Sequence, residues 1–148
     1  MARGFSRIRP RPLLERIVKH ADLTERIIAA FYNTLGWGFL EKVYHNALRH
    51  ELQKRGMSVA TNQRIDVFYD GVGVGEYFAD LIVDGVVILE LKAVEQLIDE
   101  HEAQLVNYLK ATEVEVGLLL NFGPKPQIKR KIFETARRSR TPPPTESE

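Results

Sequence analysis

The spacing of apolar residues divides the chain into elements before any chemistry is considered. Leu23, Ile27, Ala30, Phe31 and Leu35 recur with a 3.6-residue period. They predict a helix over about 22–35, with Asp22 as N-cap, acids in its first turn and Gly36 as its stop. A second helix is predicted over about 39–55, with Leu40, Val43, Ala47, Leu48 and Leu52 as its apolar stripe. After Gly56 the period falls to two. Val59–Tyr69 reads as a strand, Asp70-Gly71 as a turn, and Val74–Val83 as a second strand. Val86–Leu91 is almost wholly apolar, which suits a strand covered on both faces. Helical spacing returns over Leu97–Leu109, and Val114–Leu120 is a fourth apolar strand. Pro124 and Pro126 then break the chain, and a short basic helix is read at about 127–138. The order α-α-β-β-β-α-β predicts an α/β fold, a small mixed four-stranded sheet flanked by helices.

Composition narrows the class. With 148 residues, 44% hydrophobic and 28% charged, the chain is expected to form one soluble domain. It has no cysteine, which excludes disulfides, thiolate metal sites and Cys nucleophiles. Its apolar runs fall far short of the roughly 20 residues that span a bilayer, and the basic N-terminus lacks an apolar signal region. A cytoplasmic protein with no membrane partner is expected.

The net charge of +1 conceals a partition. Residues 1–20 carry +5, residues 21–124 carry −8, residues 125–140 carry +6 and residues 141–148 carry −2. The layout is read as a flexible basic arm (1–20), a folded domain (21–124), a basic helical segment (125–140) and a disordered tail (141–148).

The candidate chemistry lies in the middle strands. Glu90 and Lys92 end a strand that is otherwise apolar, and alternation puts them on one face. Such residues on a buried strand are either a paired ion couple or functional. Asp80 lies on the preceding strand. Gly85 at the third position predicts a three-residue loop, Val83-Asp84-Gly85, which pairs 82 with 86 and 80 with 88, so that Asp80, Glu90 and Lys92 share a face. A two-residue loop would separate them. Two neighbouring carboxylates repel, and a hard divalent cation between them removes that cost. Mg²⁺ takes oxygen ligands and uses one or two carboxylates together with substrate phosphate. A nearby lysine offsets charge on the phosphate or positions the attacking water.

Asp80 with Glu90-Leu91-Lys92 matches the D-x(n)-E-x-K core of the PD-(D/E)XK nuclease superfamily, and the order α-β-β-β-α-β resembles its restriction-endonuclease-like fold. Gly38-Phe39-Leu40-Glu41-Lys42-Val43-Tyr44 reads G-x-x-E-x-x-Y. The chain resembles the small prokaryotic family named for that motif over roughly residues 22–133. The resemblance implies that Asp80 and Glu90 are metal ligands, that Glu41 is an accessory acid and that Lys92 is the catalytic lysine. Gln104 would complete the site on the following helix, with Tyr108 one turn later and Tyr44 buttressing Glu41. The Pro of the superfamily name is replaced here by Ala79. The expected function is Mg²⁺-dependent hydrolysis of nucleic acid, DNA before RNA, with Mn²⁺ as a substitute ion. Many nucleases of this type pair to cut two strands, so a homodimer is admitted.

Each residue also has a plainer reading. Glu41 at a helix start complements the macrodipole, Gly38 starts a helix, Tyr44 and Tyr108 are core residues and Gln104 is a surface polar group. Two rivals follow: an inactive nucleic-acid-binding module of the same fold, or a regulatory interaction protein. Lys125, Lys129, Arg130, Lys131, Arg137 and Arg138 form either a phosphate-gripping rail or a solvated basic tail. His45, His50 and His101 lack zinc spacing and are read as solvated or satisfied. The glycines at 71, 73 and 75 serve a hairpin turn or bulge rather than a phosphate cradle.

Overall fold

A computed structural model of the chain describes residues 19–134. The basic arm up to residue 18, the tail, Arg137 and Arg138 therefore lie outside the described residues. Helices α1 (Ala21–Tyr32) and α2 (Glu41–Lys54) precede strands β1 (Val59–Tyr69), β2 (Val72–Val83) and β3 (Val87–Lys92). Helix α3 (Asp99–Lys110), β4 (Val116–Asn121) and β5 (Gln127–Ile132) follow. The five strands lie in the order β1-β2-β3-β4-β5. Only β3 and β4 run parallel, and α3 is the crossover that parallel neighbours require.

Strand alternation builds two cores. Leu81, Val83, Val87, Leu89, Leu91, Val116, Leu118 and Leu120 face α1 and α2, meeting Ile27, Phe31, Tyr44, Leu48 and Leu52. Ile82, Ile88 and Leu119 face α3 and meet Leu105, Tyr108 and Leu109. Every residue of β3 from Val87 to Leu91 is buried, as its apolar run predicts.

Four expectations are corrected. Helix α1 stops at Tyr32, so Leu35 lies beyond it and is exposed. The Asn33 and Thr34 side chains bond back to the Ala29 and Phe31 carbonyls and end the helix before Gly36. The N-cap is His20, in a left-handed conformation (φ 54°), rather than Asp22. The face of α2 is also rotated from the expected stripe. Tyr44, Leu48 and Leu52 are buried, while Leu40 (79%) and Val43 (37%) are exposed. Finally, residues 127–132 form a fifth strand, not a helix. Ile128 and Ile132, four residues apart, satisfy either period. The open edge of β4 settles the choice, because it supplies backbone partners along the whole segment.

The β2–β3 loop also differs in register. It has three residues, but they are Asp84, Gly85 and Val86, and Val83 pairs with Val87. Asp84 (φ 51°) and Gly85 (φ 70°) form the left-handed turn themselves, with Val86 N–H donating to the Val83 carbonyl (3.0 Å). Continuing the register brings position 80 opposite 90, not 88. Parity is unchanged, so the two positions remain on the same side of the pleat.

After β3 the chain is held by Asn121, which is fully buried. Its side chain accepts from Val94 N–H (2.9 Å) and donates to the Val94 carbonyl (3.0 Å) and to Gln127 Oε1 (3.1 Å). Gln127 Oε1 also accepts from Leu97 N–H (2.9 Å). Gly123 passes so near this clamp that a Cβ there would lie 1.9 Å from the Val94 carbonyl oxygen. Gly123→Ala should therefore cost at least about 2 kcal/mol in denaturant unfolding, whereas Gly36→Ala, with open space around it, should stay within about 0.5 kcal/mol. Equal stability of the two variants would contradict the close approach.

Candidate active site

The β2–β3 ladder ends at Leu81 and Leu89, and two side chains take over from the missing backbone bonds. Asp80 Oδ2 accepts from Leu91 N–H at 2.8 Å. Glu90 Oε2 accepts from Asp80 N–H at 3.2 Å. Each carboxylate is thus tied to the backbone of the other's strand. The two predicted acids are brought together, and on β1, opposite this point, Asn62 has a left-handed backbone (φ 49°).

Their environments differ. Glu90 is buried (7% exposed), and Asp80 is half-buried at the floor of a cleft. Burial, and secondly the charge of Asp80, push the Glu90 carboxyl up to about 8. Lys92 pulls it the other way, which places the ammonium within electrostatic reach of the pair. Tyr108 of α3 feels the same charges. Burial, then Glu90 and Asp80, push its phenol up to about 12. Its ring packs against Tyr77 of β2 at 5.0 Å.

The cleft has a volume of about 460 Å³. Asp80 and Leu91 form one side, Thr61 and Asn62 of β1 another, and α2 the third. Helix α2 presents Glu41, His45 and Arg49, one turn apart, with Lys42 and Asn46 beside them. Glu41 is exposed at the first position of α2 and lines the same cleft as Asp80. His45 Nε2 lies 3.1 Å from the Asp80 carbonyl oxygen, a bond that requires the proton on Nε2. His45 thus holds the backbone of Asp80 in place, which the absence of zinc spacing could not reveal. Its only sequence signal is the four-residue step from Glu41.

The G-x-x-E-x-x-Y residues span the loop that enters α2 and its first turn. Gly38 has φ +115°, a conformation that L side chains rarely adopt. Tyr44 is fully buried and stacks on Phe122 at 4.4 Å. Its hydroxyl donates to the Gly36 carbonyl (2.6 Å) and accepts from Phe39 N–H (3.1 Å). The tyrosine clamps the loop that delivers Glu41, and does not touch Glu41 itself by a hydrogen bond. Gln104 is half-buried one turn before Tyr108 and makes no hydrogen bond to Asp80, Glu90 or Lys92 among the described residues.

The basic rail is divided by β5. Lys131 pairs with Glu102 of α3 at 2.6 Å. Arg130 points to the other face and donates to the Lys19 carbonyl. Lys129 and Lys125 are exposed. Alternation along the strand puts Lys129 and Lys131 on one face and Arg130 on the other, and Lys125 precedes the strand.

Two measurements check this geometry. A carboxyl raised on folding stabilises the fold fully below its unfolded value, and that stability is lost as pH rises toward about 8. In EDTA, denaturant stability should therefore fall between about pH 5 and 8, by up to about 1.4 kcal/mol per pH unit from this group. Glu90→Gln should flatten the slope; an unchanged slope would contradict the burial. Tyr44→Phe should lose about 1–2 kcal/mol through the two hydroxyl bonds, and a variant as stable as the parent would rule out the clamp.

A family model described as the PD-(D/E)XK nuclease superfamily matches residues 20–131. No curated protein matches the sequence. Among solved structures, the chain is similar to the crystal structure of SSO0001, with 18% identity and a TM-score of 0.50 over 85% of this chain and 68% of that one. It is also similar to the alkaline exonuclease LHK-Exo from Laribacter hongkongensis, with 12% identity and a TM-score of 0.49 over 90% of this chain and 76% of that one. At 18% identity the likeness to SSO0001 is one of fold alone. The family match spans all three helices, the acid pair and all but the end of the last strand, and the chain belongs to the PD-(D/E)XK nuclease superfamily.

Proposed function

We propose that the chain is a divalent-metal-dependent nuclease acting on nucleic acid, DNA in preference to RNA, in the cytoplasm. Membership of the nuclease superfamily supports hydrolysis of nucleic acid in general terms. The observation that carries the finer reading is the reciprocal Asp80–Glu90 arrangement with Lys92 two residues on. The finer family, named for G-x-x-E-x-x-Y, is supported by the positive φ of Gly38 and by the Tyr44 hydroxyl bonds that fix the loop leading to Glu41.

The residues fit a hard cation. Among the described residues, no three His, Asp or Glu side chains converge on one point. Two oxygen donors with mutual repulsion do, and Mg²⁺ needs only one or two carboxylates when phosphate and water complete its shell. Asp80 and Glu90 would hold the ion, with Glu41 as the third acid of the same cleft. When bound it supplies charge stabilisation at a phosphate oxygen and a more acidic water, with Mn²⁺ able to substitute. Lys92 offsets charge that develops on the phosphate, and Gln104 orients the water. His45 fixes the Asp80 backbone, and Tyr108 closes the site from α3. Cutting both strands of a duplex takes two such sites, so a homodimer belongs to this reading for duplex substrates.

The test is incubation with single- and double-stranded DNA and RNA in Mg²⁺, Mn²⁺ or EDTA. Cleavage should vanish in EDTA and fall at least 100-fold in Lys92→Ala and Asp80→Asn, as expected when a charge-stabilising group is removed. Cleavage undiminished by EDTA would overturn the metal-dependent reading. Salt-sensitive binding without cleavage would favour an inactive binding module, and neither binding nor cleavage a regulatory protein.

A further inference from the structure

The loop before Glu41 displays apolar surface that the fold does not use. Trp37 is 65% exposed, Phe39 49% and Leu40 79%. Folding leaves them out because Tyr44, not Leu40 or Val43, takes the core-facing position of the first turn of α2. Yet the loop is not loose. Both hydroxyl bonds of Tyr44 end on it, and the Phe39 ring packs edge-on against Tyr44 at 5.9 Å. Trp37 also borders a depression shared with Tyr32, Phe122 and Pro124. Aromatic rings are thus held out to solvent by a fixed backbone.

Their position gives this surface a direction. Along α2 the cleft presents Arg49, then His45 and Asn46, then Lys42 and Glu41. From residue 49 to residue 41 the helix rises roughly 12 Å, and the aromatic loop continues from that end. Two cations that line the cleft therefore lead past the proposed catalytic acid to exposed rings. A charged, repeating backbone with flat apolar bases is the polymer that matches this order. A protein partner would match the rings but would leave Lys42 and Arg49 beside Asp80 without a role.

We propose that the α2 wall is a track for a single nucleic-acid strand, with Arg49 and Lys42 on its phosphates and an unpaired base stacked on Trp37. The substrate class is then single-stranded or locally unpaired nucleic acid, not blunt duplex. This inference rests on the nuclease reading for its substrate but not for its test, which reads binding in the absence of turnover.

Trp37 is the only tryptophan of the chain, so its emission reports the proposed contact directly. The full chain is titrated in EDTA with fluorescein-labelled oligothymidylate and, separately, with a blunt duplex, reading anisotropy; unlabelled strands serve for tryptophan emission. Oligothymidylate should quench Trp37 and the duplex should not. Trp37→Ala should weaken single-strand binding about tenfold, and Trp37→Phe should restore most of it, since either ring stacks. Arg49→Ala should lower the slope of log affinity against log salt by about 0.7. Binding by anisotropy with unchanged emission would overturn the stacking role, as would equal quenching by blunt duplex. Quenching that rises with protein concentration alone would identify a protein interface and overturn the track. No binding of any strand would also overturn it. Quenching by single strands in a protein that cleaves nothing would leave the track standing and remove only the nuclease reading. Cleavage confined to blunt duplex would do the reverse.

Discussion

The site depends on how two carboxylates are accommodated where a sheet comes apart. Beyond Leu81 and Leu89 the β2–β3 ladder stops, and a buried backbone donor without a partner would be costly. Asp80 satisfies Leu91 N–H, and Glu90 satisfies Asp80 N–H. The side chains that threaten the fold with buried charge are thereby the ones that complete its hydrogen bonding. Removing either would orphan a backbone group as well as change the chemistry. The arrangement leaves Glu90 raised in pKa and Asp80 open to the cleft, so the two acids differ in environment although they are neighbours.

The surrounding elements secure this junction from three directions. From α2, His45 holds the Asp80 carbonyl, and the buried Tyr44 fixes the loop that delivers Glu41. From α3, Tyr108 packs its ring on Tyr77 within electrostatic reach of both carboxylates. From the end of β4, Asn121 ties the segment that follows Lys92, with Gln127 as its second anchor. The last contact explains the fifth strand: β5 supplies Gln127 to the clamp and Ile128 and Ile132 to the core. Net charge looks different in this light. The near-neutral total is a cancellation between an acidic folded domain and basic flanks, and the cations that line the cleft with Asp80 come from α2, not from the basic segment.

Much of the fold could be read from the sequence because the middle strands are so apolar. The run at 86–91 admits only a central strand, and parity alone makes Glu90 and Lys92 share a face. Asp80 was legible for the same reason, although the loop register was misplaced. Asp84 and Gly85 both adopt positive φ, which moved the extra residue to Val86 without altering parity. His45, Asn121 and Gln127 were not legible. A histidine on a helix and an amide at a strand end carry no periodic signal, and their partners lie 35, 27 and 30 residues away in sequence.

Local sequence determined the element types in the middle of the chain, the Asp–Glu–Lys set and the positive-φ glycine before Glu41, because period, parity and backbone sterics act over a few residues. Only the tertiary structure decided which face of α2 is buried, that 127–132 joins the sheet, that Arg130 and Lys131 take opposite faces of it and that aromatic rings stand exposed on the loop before Glu41. Those outcomes depend on competition between surfaces. Tyr44 displaced Leu40 and Val43 because its ring finds Phe122 and its hydroxyl finds two backbone partners, and β5 formed because β4 had an open edge.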